Sequence, residues 1–210
     1  MRVLYPPRPV SKITSGELAA YEVSGQWVAQ RKYNGTRNLV HILPSGQVEM
    51  FNRHGEYHKQ FVMSSSLRDQ ILSLNIQGGL EYWLDGELLD AKTITPAYKG
   101  RVVFYDVLFA RQYLYGMIQM KRLEMLRALC RDPQELEPNL GLALRVTNDL
   151  WMAETFASGF NQEYERFIEN PEIEGLVLRR KSAALDNIGT RPYDVPWVLR
   201  CRKPHKNYTF

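Results

Sequence analysis

The 210-residue chain has no apolar run near the roughly 18 residues that a membrane-spanning helix needs. Its start, Met1-Arg2-Val3-Leu4-Tyr5-Pro6-Pro7, lacks the apolar core of a secretory signal, so export is not expected. Only two cysteines occur, Cys130 and Cys201, too few for a disulfide framework or a zinc set. Together these absences point to a reducing, cytoplasmic setting with no membrane partner. Internal repeats and low-complexity segments are lacking too, and no break in composition marks a second domain.

What is present is ordinary for a globular protein: 44% hydrophobic and 24% charged residues, in a chain long enough for one sizeable core. The net charge of +4 is unevenly placed. Residues 179–206 hold eight basic and two acidic residues, a net of +6 that leaves −2 for the rest. Clustered positive charge suits a phosphate-rich partner, because each neutralised phosphate releases counterions. A solvated basic tail would have the same composition.

Pro6, Pro7 and Pro9 make residues 1–12 an extended arm, and a short helix is expected over 14–23 with Ser15 as its cap. Asn34-Gly35, between the runs 27–30 and 39–42, predicts a hairpin. Pro44-Ser45-Gly46 predicts a turn into a strand over 47–52. The spacing of Phe61, Leu67, Ile71 and Leu74 predicts a helix over 61–74. Strands are expected over 80–89 and 101–109, both apolar runs that carry carboxylates: Asp85, Glu87 and Asp106. A buried carboxylate without a partner is costly, so each should have a task. Met120, Leu123, Leu126 and Cys130 form one stripe of a helix over 117–131. A strand over 140–146 follows, then a helix over about 149–169 with Trp151, Phe156, Phe160, Tyr164 and Phe167 inward. Strands over 173–180 and 197–203 close the chain. Strands outnumber helices without alternating with them, which argues for an α+β domain over 1–210, with antiparallel sheets and helices packed outside.

The charged residues set in apolar runs are the candidates for chemistry. Singly they are bland: Asp85-Gly86 reads as a turn, Glu174-Gly175 as a loop, Arg53 as a surface residue. In order they form a series: Lys32-Tyr33-Asn34-Gly35-Thr36-Arg37, Leu84-Asp85-Gly86-Glu87-Leu88, Phe104-Tyr105-Asp106-Val107-Leu108, Glu174-Gly175-Leu176-Val177-Leu178-Arg179 and Trp197-Val198-Leu199-Arg200-Cys201-Arg202-Lys203. This series resembles the covalent nucleotidyltransferase superfamily of ATP-dependent DNA ligases, RNA ligases and messenger-RNA capping enzymes. The second and third segments look most like the adenylation domain of the DNA ligases. The resemblance covers about residues 25 to 203. It implies a ligase-type, ATP-grasp-like α+β fold, two antiparallel β-sheets with flanking helices and the nucleotide between them.

By the same resemblance, Lys32 is the nucleophile that attacks the α-phosphate of ATP and becomes lysyl-AMP. A free lysine has a pKa of about 10.4, so nearby positive charge or a metal ion must help expose the neutral amine. Glu87 matches the ribose-binding glutamate and, with Glu174, would hold Mg²⁺ or Mn²⁺. Tyr105 matches the aromatic that stacks on the base, while Arg37 and Arg53 match arginines near the ribose and the 5′-phosphate end of the nucleic acid. Arg200 and Arg202, two apart on an expected strand, share a face toward the α-phosphate and turn Cys201 to the opposite, buried side. Gln30, two residues before Lys32, is a candidate contact to the base edge.

Three departures stand out. Asn34 replaces the family's usual Asp, arginines replace the usual lysines at 200 and 202, and the chain offers no room for the oligonucleotide-binding (OB-fold) domain of most relatives. The expected activity is nick sealing by an ATP-dependent DNA ligase domain, acting on nicked duplex nucleic acid, DNA over RNA. A separate protein could supply the absent barrel. An RNA ligase, a GTP-dependent capping guanylyltransferase and a non-catalytic binding module are the alternatives; an NAD-dependent ligase fits less well.

Overall fold

The computed structural model describes residues 3–131, 133–135, 142–185 and 191–204. In chain order the elements are β1 (Arg8–Ile13), a 3-10 turn (Ser15–Glu17), α1 (Leu18–Val23), β2 (Trp27–Tyr33), β3 (Thr36–Ile42), β4 (Val48–Phe51), α2 (Ser65–Leu72) and β5 (Tyr82–Leu88). After a 3-10 turn (Pro96–Tyr98) come β6 (Val102–Ala110), β7 (Gln112–Tyr113), α3 (Gln119–Leu129), β8 (Gln134–Glu135) and β9 (Leu144–Arg145). The chain continues through β10 (Leu150–Met152), β11 (Thr155–Phe156), α4 (Phe160–Arg166), β12 (Ile173–Arg180) and β13 (Asp194–Arg202).

The strands form two sheets. The first runs β1-β13-β12-β2-β11, the second β4-β3-β5-β6-β10-β9-β8, with β7 beside β6. Helices α1 and α4 cover one face of the first sheet, where Leu18, Phe160 and Tyr164 pack on Ala29, Leu176, Leu178 and Cys201. Helices α2 and α3 cover the second through Leu67, Ile71, Leu126 and Leu129 against Val40, Phe104 and Leu150. A third cluster draws Tyr33 and Ile173 from one sheet against Val103 and Trp151 from the other. The class is α+β, as expected. No helix among the described residues is long and apolar enough to cross a membrane.

Several expectations need correcting. Asn34-Gly35 is not a hairpin turn: β2 pairs with β12 and β11, while β3 pairs with β4 and β5. Gly35 does not take the left-handed conformation that a two-residue hairpin demands. A side chain there would instead collide with the Leu88 carbonyl oxygen and the Glu87 Cγ. The glycine lets the chain pass close over the end of β5 as it crosses from one sheet to the other.

The sheets are mixed rather than antiparallel. β1 runs parallel to β13, and β10 parallel to β6. The second pairing requires a crossover, and the segment holding α3 provides it. Residues 8–12 of the expected arm, continued by Ile13, enter the first sheet as its edge strand, where Pro9 withholds no needed donor.

The helix expected over 149–169 begins only at Phe160, after Gly159 at φ 76°, and the residues before it form β10 and β11. The aromatic spacing mimicked a helix, but Leu150, Trp151 and Met152 are all buried as an inner strand, which carries no alternation to read. Helix α2 starts at Ser65, where the Ser64 hydroxyl accepts the Leu67 N–H, so Phe61 lies outside it. Helix 14–23 is capped from Thr14 rather than Ser15, and it opens as a 3-10 turn. Of the strand expected over 140–146, residues 140 and 141 lie outside the described residues, and β9 occupies only Leu144–Arg145.

Candidate active site

Strand β2 builds the site because its side chains alternate. Ala29 and Arg31 face the helical side, where Arg31 meets Glu154 at 3.0 Å and Glu163 at 2.9 Å. Gln30 and Lys32 therefore face the second sheet. In register with Lys32 stand Gly175 on β12 and, beyond it, Arg202 on β13. The next row on the same face holds Gln30, Val177 and Arg200.

Glu174 joins this face through a β-bulge. Ile173 pairs with Tyr33 and Gly175 with Lys32, so Glu174 is the extra residue. Its Oε2 lies 2.5 Å from Lys32 Nζ and 3.5 Å from Arg202 Nε. Gly175, at φ 137°, is required: a side chain would strike the Cys201 carbonyl and sit 3.0 Å from the Arg202 Cα. Cys201 faces away, fully buried, its thiol pushed up to about 12 by burial.

The second sheet supplies the opposite wall. Arg37 on β3 pairs in register with Glu87 on β5 and grips Asp85 with Nε at 3.0 Å and Nη2 at 2.5 Å. Its Nη1 donates to the Pro7 carbonyl at 3.2 Å. Burial disfavours the Arg37 charge, but the Asp85 carboxylate holds the guanidinium above its ordinary range. Half-buried Glu87 accepts no hydrogen bond from the described residues. Burial raises its carboxyl to about 7; Lys32 and Arg37 work against that rise and Glu174 adds to it.

A second bulge places Tyr105. Asp85 pairs with Asp106 and Gly86 with Phe104, leaving Tyr105 as the extra residue on β6. Its ring lies 5.2 Å from the Arg179 guanidinium carbon and 5.8 Å from that of Arg37. Behind it, fully buried Asp106 accepts from Arg122 at 3.0 and 3.1 Å, from Arg179 at 3.4 Å and from the Val107 N–H at 2.9 Å. Burial alone would raise this carboxyl, but the two guanidinium groups hold it below the usual aspartate range.

Lys32, Glu174, Glu87, Arg37, Tyr105, Gln30, Arg200 and Arg202 thus line the facing sides of the two sheets. Arg200 Nε is buried without a partner among the described residues, and burial with Arg202 lowers the guanidinium's pKa. Arg53 is the exception. It is exposed in the turn after β4, with Nε 3.0 Å from His54 Nε2, and no contact joins it to the cluster among the described residues.

Sequence reasoning missed Gln119 and Arg122, the polar half of the buried face of α3, which hold Asp106. Two polar residues three apart on an otherwise apolar stripe were the available signal. It also missed Lys92, whose Nζ donates to the Gly35 carbonyl at 2.9 Å, and Glu172, which accepts the Thr95 N–H at 2.6 Å. Asn34 Nδ2 donates to the Pro171 carbonyl at 3.2 Å and, at 3.5 Å, to that of Lys92. An Asp there has no side-chain donor to offer. The basic C-terminal run is dispersed rather than a tail: Arg179 is buried on Asp106, Lys181 caps the Gly25 carbonyl, and Lys203 donates to that of Asn170. Lys206 and Asp186 lie outside the described residues.

No group of three or more metal-binding side chains occurs among the described residues. The pair Glu87 and Glu174 nevertheless fits a magnesium ion that takes its other ligands from phosphate and water, since Glu87 is desolvated, unbonded and repelled by Glu174.

No protein-family model matches the chain, and no curated protein does. Solved structures do match. A mycobacterial DNA ligase D complexed with ATP and MES superposes with a TM-score of 0.63 at 16% identity, over 95% of this chain and 60% of that one. The ligase domain from M. tuberculosis LigD gives 0.61 at 18% identity, over 93% and 58%. The ATP-dependent DNA ligase from bacteriophage T7, in complex with ATP, gives 0.55 at 12%, over 94% and 68%. The fold is the one that these DNA ligase structures share. The chain spans about 60% of the length of the two LigD chains. At such identities the likeness speaks for the fold alone.

Proposed function

We propose that the chain is the catalytic domain of an ATP-dependent polynucleotide ligase, with DNA as the favoured substrate. One observation carries this reading: the amine of Lys32 lies in the cleft between the sheets, beside the Glu174 carboxylate and the Arg202 guanidinium. A primary amine with cations and carboxylates around it is equipped to attack a bound phosphate rather than to pack a core.

In the first step the neutral Lys32 amine attacks the α-phosphate of ATP. A phosphorus–nitrogen bond forms, the bond to the bridging oxygen breaks, and pyrophosphate leaves with that electron pair. Arg200 and Arg202 stand on the Lys32 face to offset the charge that builds on the phosphate oxygens. Glu87 and Glu174 would hold Mg²⁺, which when bound supplies further charge neutralisation. Tyr105 offers its ring to the base, and Arg37, locked on Asp85, marks the ribose side. The AMP then passes to a 5′-phosphate, and a 3′-hydroxyl displaces it to seal the strand. All three steps depend on positioning and positive charge.

The test is incubation with Mg²⁺ and α-labelled ATP, GTP or NAD in parallel, followed by denaturation. Label from ATP that disappears in Lys32→Ala supports the proposal. Label from GTP alone would point to capping chemistry, and none from any donor to a binding module. Matched nicked DNA and RNA duplexes then decide the substrate.

A further inference from the structure

Gln30 is buried, and chemistry fixes the orientation of its amide. The Arg179 Nε–H can only donate, so the atom it meets at 2.9 Å is the Gln30 carbonyl oxygen. The amide nitrogen is therefore turned away from Arg179. It donates to the Thr155 hydroxyl oxygen at 3.1 Å and to the Tyr105 carbonyl at 3.4 Å. Arg179 is itself anchored on Asp106, which α3 grips through Arg122. A chain of fixed donors thus runs from the core to one hydroxyl.

Thr155 lies directly opposite Gln30 on β11, the edge strand of the first sheet. Directly opposed side chains share a face, so Thr155 points to the side that carries Gln30 and Lys32. It is half-buried where Gln30 is closed off. Its oxygen already accepts from Gln30, and no described residue takes its hydrogen. The group offered to a ligand at this end of the cleft is a hydroxyl set up to donate.

We propose that Thr155 is a further base-binding residue of the nucleotide site, donating its hydroxyl hydrogen to a ring nitrogen of the purine base. Gln30 and Arg179 are positioning residues that act through it. The inference rests on the nucleotide-binding reading above, and it assigns a contact to the base to a residue outside all five motifs.

The experiment measures binding by calorimetry for the full chain, Thr155→Val and Thr155→Ser. The ligands are ATP, GTP and three ATP analogues in which N1, N3 or N7 is replaced by C–H. The wild type should bind one analogue about 10-fold more weakly than ATP, the value of one neutral hydrogen bond. In Thr155→Val, ATP should weaken by a similar factor and the penalty for that analogue should shrink to within about twofold. Thr155→Ser, which keeps the hydroxyl, should retain the penalty. A Thr155→Val protein that keeps the full penalty overturns the inference alone, as does a wild type with no penalty for any analogue. A folded wild type that binds neither ATP nor GTP overturns the functional reading, and this inference with it.

Discussion

Lys32 and Glu174 meet amine to carboxylate at 2.5 Å although 142 positions separate them, because the bulge opposite Lys32 turns Glu174 onto its face. The contact orients the amine, and in the proposed reaction the same carboxylate would help hold Mg²⁺. Glu174→Gln keeps the shape and removes the charge. Its rate of label transfer from ATP should fall about 100-fold, the scale of losing one electrostatic partner at a reacting centre. Its melting temperature should stay near that of the wild type. Quenched time courses of lysine labelling, with thermal denaturation, check both.

Glu87 predicts a pH-dependent stability. Its carboxyl is raised to about 7 in the folded protein, against an ordinary value of 4.5. The folded state therefore binds the extra proton between these values, and stability drains away as pH rises through them. Glu87→Gln removes the loss. It should be more stable than the wild type by on the order of 1–3 kcal/mol above neutral pH, with the difference vanishing toward pH 4.5. Urea titrations across that range read the curve.

Asp106 behaves in the opposite sense. Its folded value lies below the ordinary 3.8, so the pairing stabilises the protein above that pH and fails as pH falls through the folded value. Arg122→Met leaves the carboxylate with only Arg179 as a cationic partner. The expected cost is roughly 3 kcal/mol at neutral pH, as for a broken buried pair. Acid unfolding should move to higher pH. Denaturant and acid titrations followed by circular dichroism test this.

Gly35→Ala separates the crossover from a hairpin. A methyl group there would run into the Leu88 carbonyl and the Glu87 side chain, so the end of β5 must shift. We expect a loss of roughly 2 kcal/mol or more in stability, with lysine labelling falling alongside it. A surface hairpin turn would also lose about 1–2 kcal/mol, from a left-handed alanine, but would leave Glu87 in place and lysine labelling unchanged.

Arg53 lies apart from the cluster, so Arg53→Ala should leave lysine labelling within about twofold of the wild type, as expected for a surface substitution. If Arg53 serves the nucleic acid, transfer of AMP to a 5′-phosphate should fall while the first step stays intact. Separate assays of the two steps distinguish them.

The strands bearing the motifs were legible because β-rich runs interrupted by carboxylates stand out against ordinary cores. Which strand pairs with which was not. Asn34-Gly35 carries the local chemistry of a hairpin, yet the approach of Gly35 to β5 is a tertiary fact that no local signal encodes. The alternation rule placed Arg200 and Arg202 on one face with Cys201 behind them, and the structure agrees. It could not place Glu174 or Tyr105, since a bulge breaks the alternation at each. Asp106 was flagged as a carboxylate in need of a partner. Its partner Arg122 went unseen because the helix was read for apolar residues alone.

The central claim is that Lys32 carries the nucleotide. The direct measurement is tandem mass spectrometry of the peptides released after the protein has been incubated with ATP and Mg²⁺ and then denatured. One AMP is expected, attached through Nζ of Lys32, and none in Lys32→Ala. AMP on any other residue, or an unmodified Lys32 peptide in a folded protein that binds ATP, would contradict it.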